Sequence, residues 1–93
     1  MHAVLIEVDV SGVDPAQGIE VLREQIVPAI KGLPGFQSGT WLTGGADGTG
    51  LSLTLWDGED NARLMAERFG PGSSPTASAS VVRCELREVA ATA

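Results

Sequence analysis

Along this chain of 93 residues the spacing of apolar side chains passes from two to about three and a half and back again, twice, and that order limits the folds open to it. From His2 to Val10, the residues Val4, Ile6, Val8 and Val10 alternate with Leu5, Glu7 and Asp9, which predicts a strand. Ser11-Gly12-Val13 then turns the chain into a helix. Asp14 stands at the N-cap, Pro15 at the first helical position, and Gln17 completes a capping-box arrangement. Ile19, Leu22, Ile26, Ile30 and Leu33 recur at helical spacing and form one stripe that should face a sheet. Pro28 lies inside the stripe and has no N–H to offer residue 24, so it is expected to kink the last turns or end the regular helix early.

After Gly32 to Gly35, residues 36–43 read as a strand, residues 44–50 (Gly-Gly-Ala-Asp-Gly-Thr-Gly) as a hairpin loop and residues 51–56 as its antiparallel partner. Asp57 is expected to cap a second helix, with Glu59 and Asp60 at its positive end and Ala62, Met65, Ala66 and Phe69 as its buried stripe. Gly70 and Pro71 stop it. Residues 71–80 are Pro, Gly, Ser, Thr and Ala, a composition that predicts a flexible loop. Val82, Cys84 and Leu86 then alternate with Arg83, Glu85 and Arg87 in a last strand, before a frayed tail over 90–93. No internal repeat or second domain is visible, so residues 1–93 are expected to form one domain.

Strand, helix, strand, strand, helix, strand is the order of a ferredoxin-like α+β fold, a four-stranded antiparallel sheet with both helices on one face. The first strand would lie between the third and fourth, bringing Glu7 and Asp9 opposite Arg83 and Arg87. Sorting by parity predicts a strongly apolar face of Val4, Ile6, Val8, Leu51, Leu53, Leu55, Val82, Cys84 and Leu86. The mixed face would hold Leu5, Trp56 and Val89 among Glu7, Ser52, Thr54, Arg83 and Arg87, with Trp41 beside them if the register allows. Tryptophans among polar groups suit an interface or a pocket wall, because the indole is apolar and its N–H needs a partner. A chain this short buries only about 60–65% of the surface its unfolded form exposes, so a second copy packed on the mixed face would supply missing burial.

Composition narrows the partners. Six basic against twelve acidic residues give a formal net charge of −6, the wrong sign for binding nucleic acid or an anionic membrane. Cys84 is the only cysteine and cannot close an intrachain disulfide, no histidine and cysteine cluster offers a zinc set, and a reducing cytoplasm fits such a chain. The run Ala3-Val4-Leu5-Ile6 is broken by Glu7 and Asp9 and has no basic stretch before it, so it reads as neither signal peptide nor membrane span, and a soluble protein is expected.

Pro34-Gly35-Phe36, the loop at Asp47-Gly48-Thr49, and Trp56 ahead of an acidic helix start resemble the antibiotic biosynthesis monooxygenase family of dimeric α/β-barrel proteins. Members of that family share a Pro-Gly-Phe strand start followed after nineteen residues by a Trp, the interval that residues 37–55 fill here, and the likeness runs over roughly residues 1–70. The resemblance implies a homodimer whose two sheets pack into a barrel, with a pocket in each subunit for a hydrophobic, often aromatic, small molecule. Its cofactor-free oxygenases pair the tryptophan with an asparagine four residues before it and a tyrosine six residues after it, where this chain has Ser52 and Ala62 and no tyrosine anywhere. The haem-degrading relatives ligate iron through a histidine near the second helix, whereas the only histidine here is His2, which is expected to be a solvated residue at a frayed terminus. No cofactor or metal is therefore expected, nor is proton handling by a tyrosyl group as in those enzymes.

The candidate substrate-binding residues are Trp56, Ser52, Trp41 and Arg83, the last because a fixed guanidinium beside a tryptophan would hold an anionic or enolate oxygen. Pairing of Arg83 and Arg87 with Glu7 and Asp9 is an equally good account of both arginines. Cys84 reads as a small core side chain, the glycine-rich residues 44–50 as a hairpin without the lysine of a phosphate cradle, and Asp57, Glu59 and Asp60 as helix capping. Two functions follow, a cofactor-independent oxygenase or a non-catalytic barrel that binds a metabolite or a protein partner.

Overall fold

A computed structural model describes residues 1–44, 48–73 and 79–93. Strand β1 (His2–Asp9) leads into α1 (Pro15–Val21), a π-helical turn (Leu22–Ile26) and α2 (Val27–Lys31), and then β2 (Phe36–Leu42), β3 (Thr49–Trp56), α3 (Glu59–Arg68) and β4 (Ser80–Glu88) follow. The four strands form one antiparallel sheet in the order β2-β3-β1-β4. The architecture is α+β and compatible with a ferredoxin-like fold.

Local signals place the helices. The Asp14 side chain accepts the Gln17 backbone N–H at 3.1 Å and opens α1, with Pro15 in the first turn. Ahead of Pro28 the regular α-helix stops at Val21, although the helical segment itself goes on. The turn before Pro28 widens to π geometry, closed by the Val27 N–H on the Leu22 carbonyl, and α2 carries the chain on to Lys31. Ile26, Ile30 and Leu33 reach the core from this arm, while Ile19 and Leu22 are half-buried. Helix α3 adds Ala62, Met65, Ala66 and Phe69, and the strands add Val4, Ile6, Trp56 and Val81.

Strand β3 reverses the predicted sorting of faces. Paired residues share a face, and Val4 lies opposite Thr54, Ile6 opposite Ser52, and Leu5 opposite Leu53. Ser52, Thr54 and Trp56 therefore point toward the helices, and Leu51, Leu53 and Leu55 point away from them. Trp56 accounts for the choice. It is the largest side chain of the strand, and inward it is 1% exposed, packs edge-on against Phe36 with centroids 5.6 Å apart, and donates Nε1–H to Thr54 Oγ1 at 2.9 Å. A period of two then carries Thr54 and Ser52 inward with it.

Strand β4 departs from strict alternation as well. Its register against β1 shifts between Glu7 and Val8, so that Arg83 is opposite Glu7 and Val81 opposite Val8. Val82 is the extra residue of this bulge and is exposed, and Val81 takes the buried position predicted for it. The predicted loop over 71–80 is tied down where it is described: the Gly72 N–H bonds the Val81 carbonyl and the Val81 N–H bonds the Ser73 carbonyl, both at 2.8 Å, and Ala79 is buried. Residues 74–78 of that loop, and residues 45–47 of the hairpin loop, lie outside the described residues.

Asp57 does not cap α3. Gly58 is the N-cap, in extended conformation, while the Asp57 N–H bonds the Gly35 carbonyl at 2.9 Å and its Oδ1 accepts the Asn61 Nδ2–H at 3.0 Å. Gly35 has φ of 80°, and a Cβ there would lie 2.4 Å from both Asn61 Nδ2 and Asp57 Oδ1. The start of β2 is thus pinned against the start of α3, which fixes Trp56 and the helix that follows it. Gly35→Ala should cost about 2–5 kcal/mol, the sum of a left-handed backbone and overpacking. Gly44→Ala, where φ is 87° and no atom lies within 4 Å, should cost only the backbone part, about 1–2 kcal/mol. Urea denaturation of the two variants measures the difference, and equal costs would contradict the pinned contact.

Candidate functional site

The sheet has two apolar faces. The helices cover the inner one, where β2 and β3 present a row of aromatic and hydroxyl side chains. Ser52 lies directly opposite Trp41, Thr54 opposite Gly39 and Trp56 opposite Phe36. The Trp41 ring lies across Gly39, where a Cβ would sit 2.6 Å from its Cη2. Three of the four expected residues, Trp56, Ser52 and Trp41, therefore share the inner face, with Thr54 joining Trp56 to the β1 backbone through its contact with the Val4 carbonyl at 3.4 Å. Ser52 and Thr54 are both buried.

Arg83 is not part of this group. It lies on the outer face, 3.9 Å from Glu7 and 3.1 Å from Glu85, because the reversed parity of β3 puts Trp56 on the other side of the sheet. The Glu7–Arg83 pair forms as the register predicts, and the Asp9–Arg87 pair does not. Arg87 bonds Glu85, whose carboxyl is held below its ordinary range chiefly by that hydrogen bond, and Asp9 accepts the Ser11 N–H and hydroxyl, which lower its own. Cys84 faces the core opposite Ile6, with Sγ 3.7 Å from the Ala66 carbonyl oxygen, and burial raises its thiol above the usual range. That is the behaviour of a packing residue.

His2 is not a frayed terminal group. It begins β1 opposite Trp56, with Nε2 3.9 Å from a Glu59 carboxylate oxygen and Nδ1 buried without a hydrogen-bond partner among the described residues. The alternation His2, Val4, Ile6, Val8 was the available sign of its inward position. Among the described residues no three His, Cys, Asp or Glu side chains converge to hold a metal ion, and no helix is long and apolar enough to cross a membrane.

A cleft of about 240 Å³ opens between the turn after α2 and helix α3. Leu33 and Pro34 form one wall, Asn61, Leu64, Met65 and Arg68 the other, and Trp56 lies at its floor. The four α3 residues are spaced i, i+3, i+4, i+7 and so form one helical face, a pattern legible in the sequence beside the buried stripe that masks it. A second hollow, of about 220 Å³, lies between Glu7, Leu42, Thr43, Thr49 and Leu51 at one end of the outer face.

The outer face is otherwise uncovered. Leu5, Leu51, Leu53 and Leu55 run across its centre, with Leu42 beside them, and Leu53 and Leu42 are 44% and 55% exposed. Glu7, Arg83, Glu85 and Arg87 border this patch along β4. Comparison with protein-family models, with curated proteins and with solved structures finds no match.

Proposed function

We propose that the chain is a homodimeric α/β-barrel protein of the antibiotic biosynthesis monooxygenase type, working in the cytoplasm, that binds a small hydrophobic or aromatic metabolite without oxygenating it. The observation that carries this reading is the position of Trp56 at the floor of an open cleft that, among the described residues, no histidine or carboxylate lines. An oxygenase of that type must stabilise a substrate anion and move a proton, functions the family assigns to an asparagine and a tyrosine. In their places stand Ser52 and Ala62, both buried. The indole N–H is itself engaged by Thr54. The polar groups lining the cleft are the Asn61 amide and the Arg68 guanidinium, which orient a ligand and do not act as bases near neutral pH.

The leucine-rich outer face supports the dimer. Leaving Leu5, Leu51, Leu53 and Leu55 against water forgoes about 1.5–3 kcal/mol for each side chain that a partner would bury. The Glu7, Arg83, Glu85 and Arg87 border gives that face both signs of charge, which suits self-association around a two-fold axis.

The test has two arms. Oxygen uptake with hydroquinones or anthrones is expected to stay at the buffer rate, and a rate that disappears in Trp56→Phe would reinstate the oxygenase. Sedimentation at micromolar concentration is expected to give a dimer, and a compact monomer would end the barrel reading.

A further inference from the structure

We propose that the cleft over Trp56 selects a small hydrophobic carboxylate, with Arg68 as its counter-ion. This rests on the reading of that cleft as a ligand site. Leu33, Pro34, Leu64 and Met65 give it an apolar lining, and at about 240 Å³ it is just under the roughly 300–1,000 Å³ usual for small-molecule sites, so its occupant is of one or two rings. Met65 adds a polarisable sulfur, which favours an aromatic ring over an aliphatic chain.

Charge decides the rest. Among the described residues Arg68 is the only charged one lining the cleft, and it makes no ion pair there, unlike Arg63, Arg83 and Arg87, each engaged by a glutamate. An unpaired guanidinium at the rim of an apolar cleft, in a chain whose formal net charge is −6, offers a planar donor fork suited to one carboxylate. Two carboxylates at the start of α3 are already engaged, Asp57 by Asn61 and Glu59 by Arg63. A cationic ligand finds no carboxylate among the lining residues, and a neutral one leaves the guanidinium without a role.

The experiment is a titration of the isotope-labelled protein with 2-naphthoate and, separately, with neutral 2-naphthamide, read from the amide and indole N–H resonances. Naphthoate is expected to shift the Trp56 indole, the Asn61 amide and the backbone around Arg68, and to bind more tightly than the amide. Because Arg68 is exposed, Arg68→Ala should weaken naphthoate about fivefold, the upper range for such a pair, and added salt should do the same to the wild type. Arg68→Lys should retain part of the affinity, and naphthamide should be indifferent to every change at this position. If both probes shift the same resonances with equal affinity and Arg68→Glu changes neither, the carboxylate proposal is overturned while the ligand site survives. If neither probe moves a cleft resonance, both fall.

Discussion

Leu53→Glu is expected to convert the proposed dimer to a folded monomer at micromolar concentration. Leu53 is at the centre of the outer face, opposite Leu5 on one side and Thr40 on the other, and is 44% exposed in the single subunit. Its replacement should leave the subunit intact, since the side chain points into solvent and touches none of the core beneath the helices. In a two-fold interface every substitution occurs twice. Each copy loses about 1.5–3 kcal/mol of apolar burial. Each also asks a carboxylate to leave water, at a further effective cost of several kcal/mol. A total of about 6 kcal/mol or more corresponds to at least four orders of magnitude in the dissociation constant. Sedimentation should show half the wild-type mass with an unchanged circular dichroism spectrum. Leu64→Glu, on a helix at a position 61% exposed, adds the same charge on the opposite side of the molecule and should leave the dimer alone. A Leu53→Glu protein that still sediments as a dimer would move the interface off this face.

The outer leucines also show where the sequence stops being informative. Caps and helical stripes are local: Asp14 needs only the Gln17 N–H, and Ala62, Met65, Ala66 and Phe69 fall on one side of α3 whatever surrounds it. The facing of β3 is not local. Its two alternating sets, Leu51-Leu53-Leu55 and Ser52-Thr54-Trp56, are both able to cover a core, and hydrophobicity alone favours the leucines. The indole reverses that preference because it fills the space beneath the helices and carries its hydrogen-bond acceptor two residues away on the same face. Adjacent Val81 and Val82 likewise cannot reveal a bulge, since either valine suits the inner position and the choice belongs to the register with β1. Trp56, Ser52 and Trp41 could be grouped because they share strand parity. Arg83 keeps the face and the Glu7 partner that the register predicts, and the reversal of β3 separates it from Trp56. The cleft itself depends on how the Leu33-Pro34 turn meets α3, a contact between segments far apart in sequence that no periodicity encodes.

If Trp56 is held as a pillar by Thr54, substitutions at the two positions should be strongly non-additive. Trp56→Ala should cost about 3–5 kcal/mol through the cavity it leaves. Thr54→Val keeps the shape of a fully buried side chain but removes the acceptor of the indole N–H, stranding a donor at a cost of about 1–3 kcal/mol. Trp56→Phe also removes volume, and it removes the donor with it. In the Thr54→Val/Trp56→Phe double variant no indole remains to be stranded, so the combined cost should fall below the sum of the singles by about 1–2 kcal/mol, within the range found for residues in contact. Urea denaturation of the four proteins closes the cycle, and the indole resonance of Thr54→Val should move upfield as its N–H loses the acceptor. Additivity to within about 0.5 kcal/mol would mean that the hydrogen bond contributes nothing beyond packing. The indole N–H would then be free to serve a ligand, and the case against polar chemistry at Trp56 would lose its main support. A coupling of the expected size leaves that N–H committed to the fold, and the cleft above it is left with Asn61 and Arg68 as its polar means of recognition.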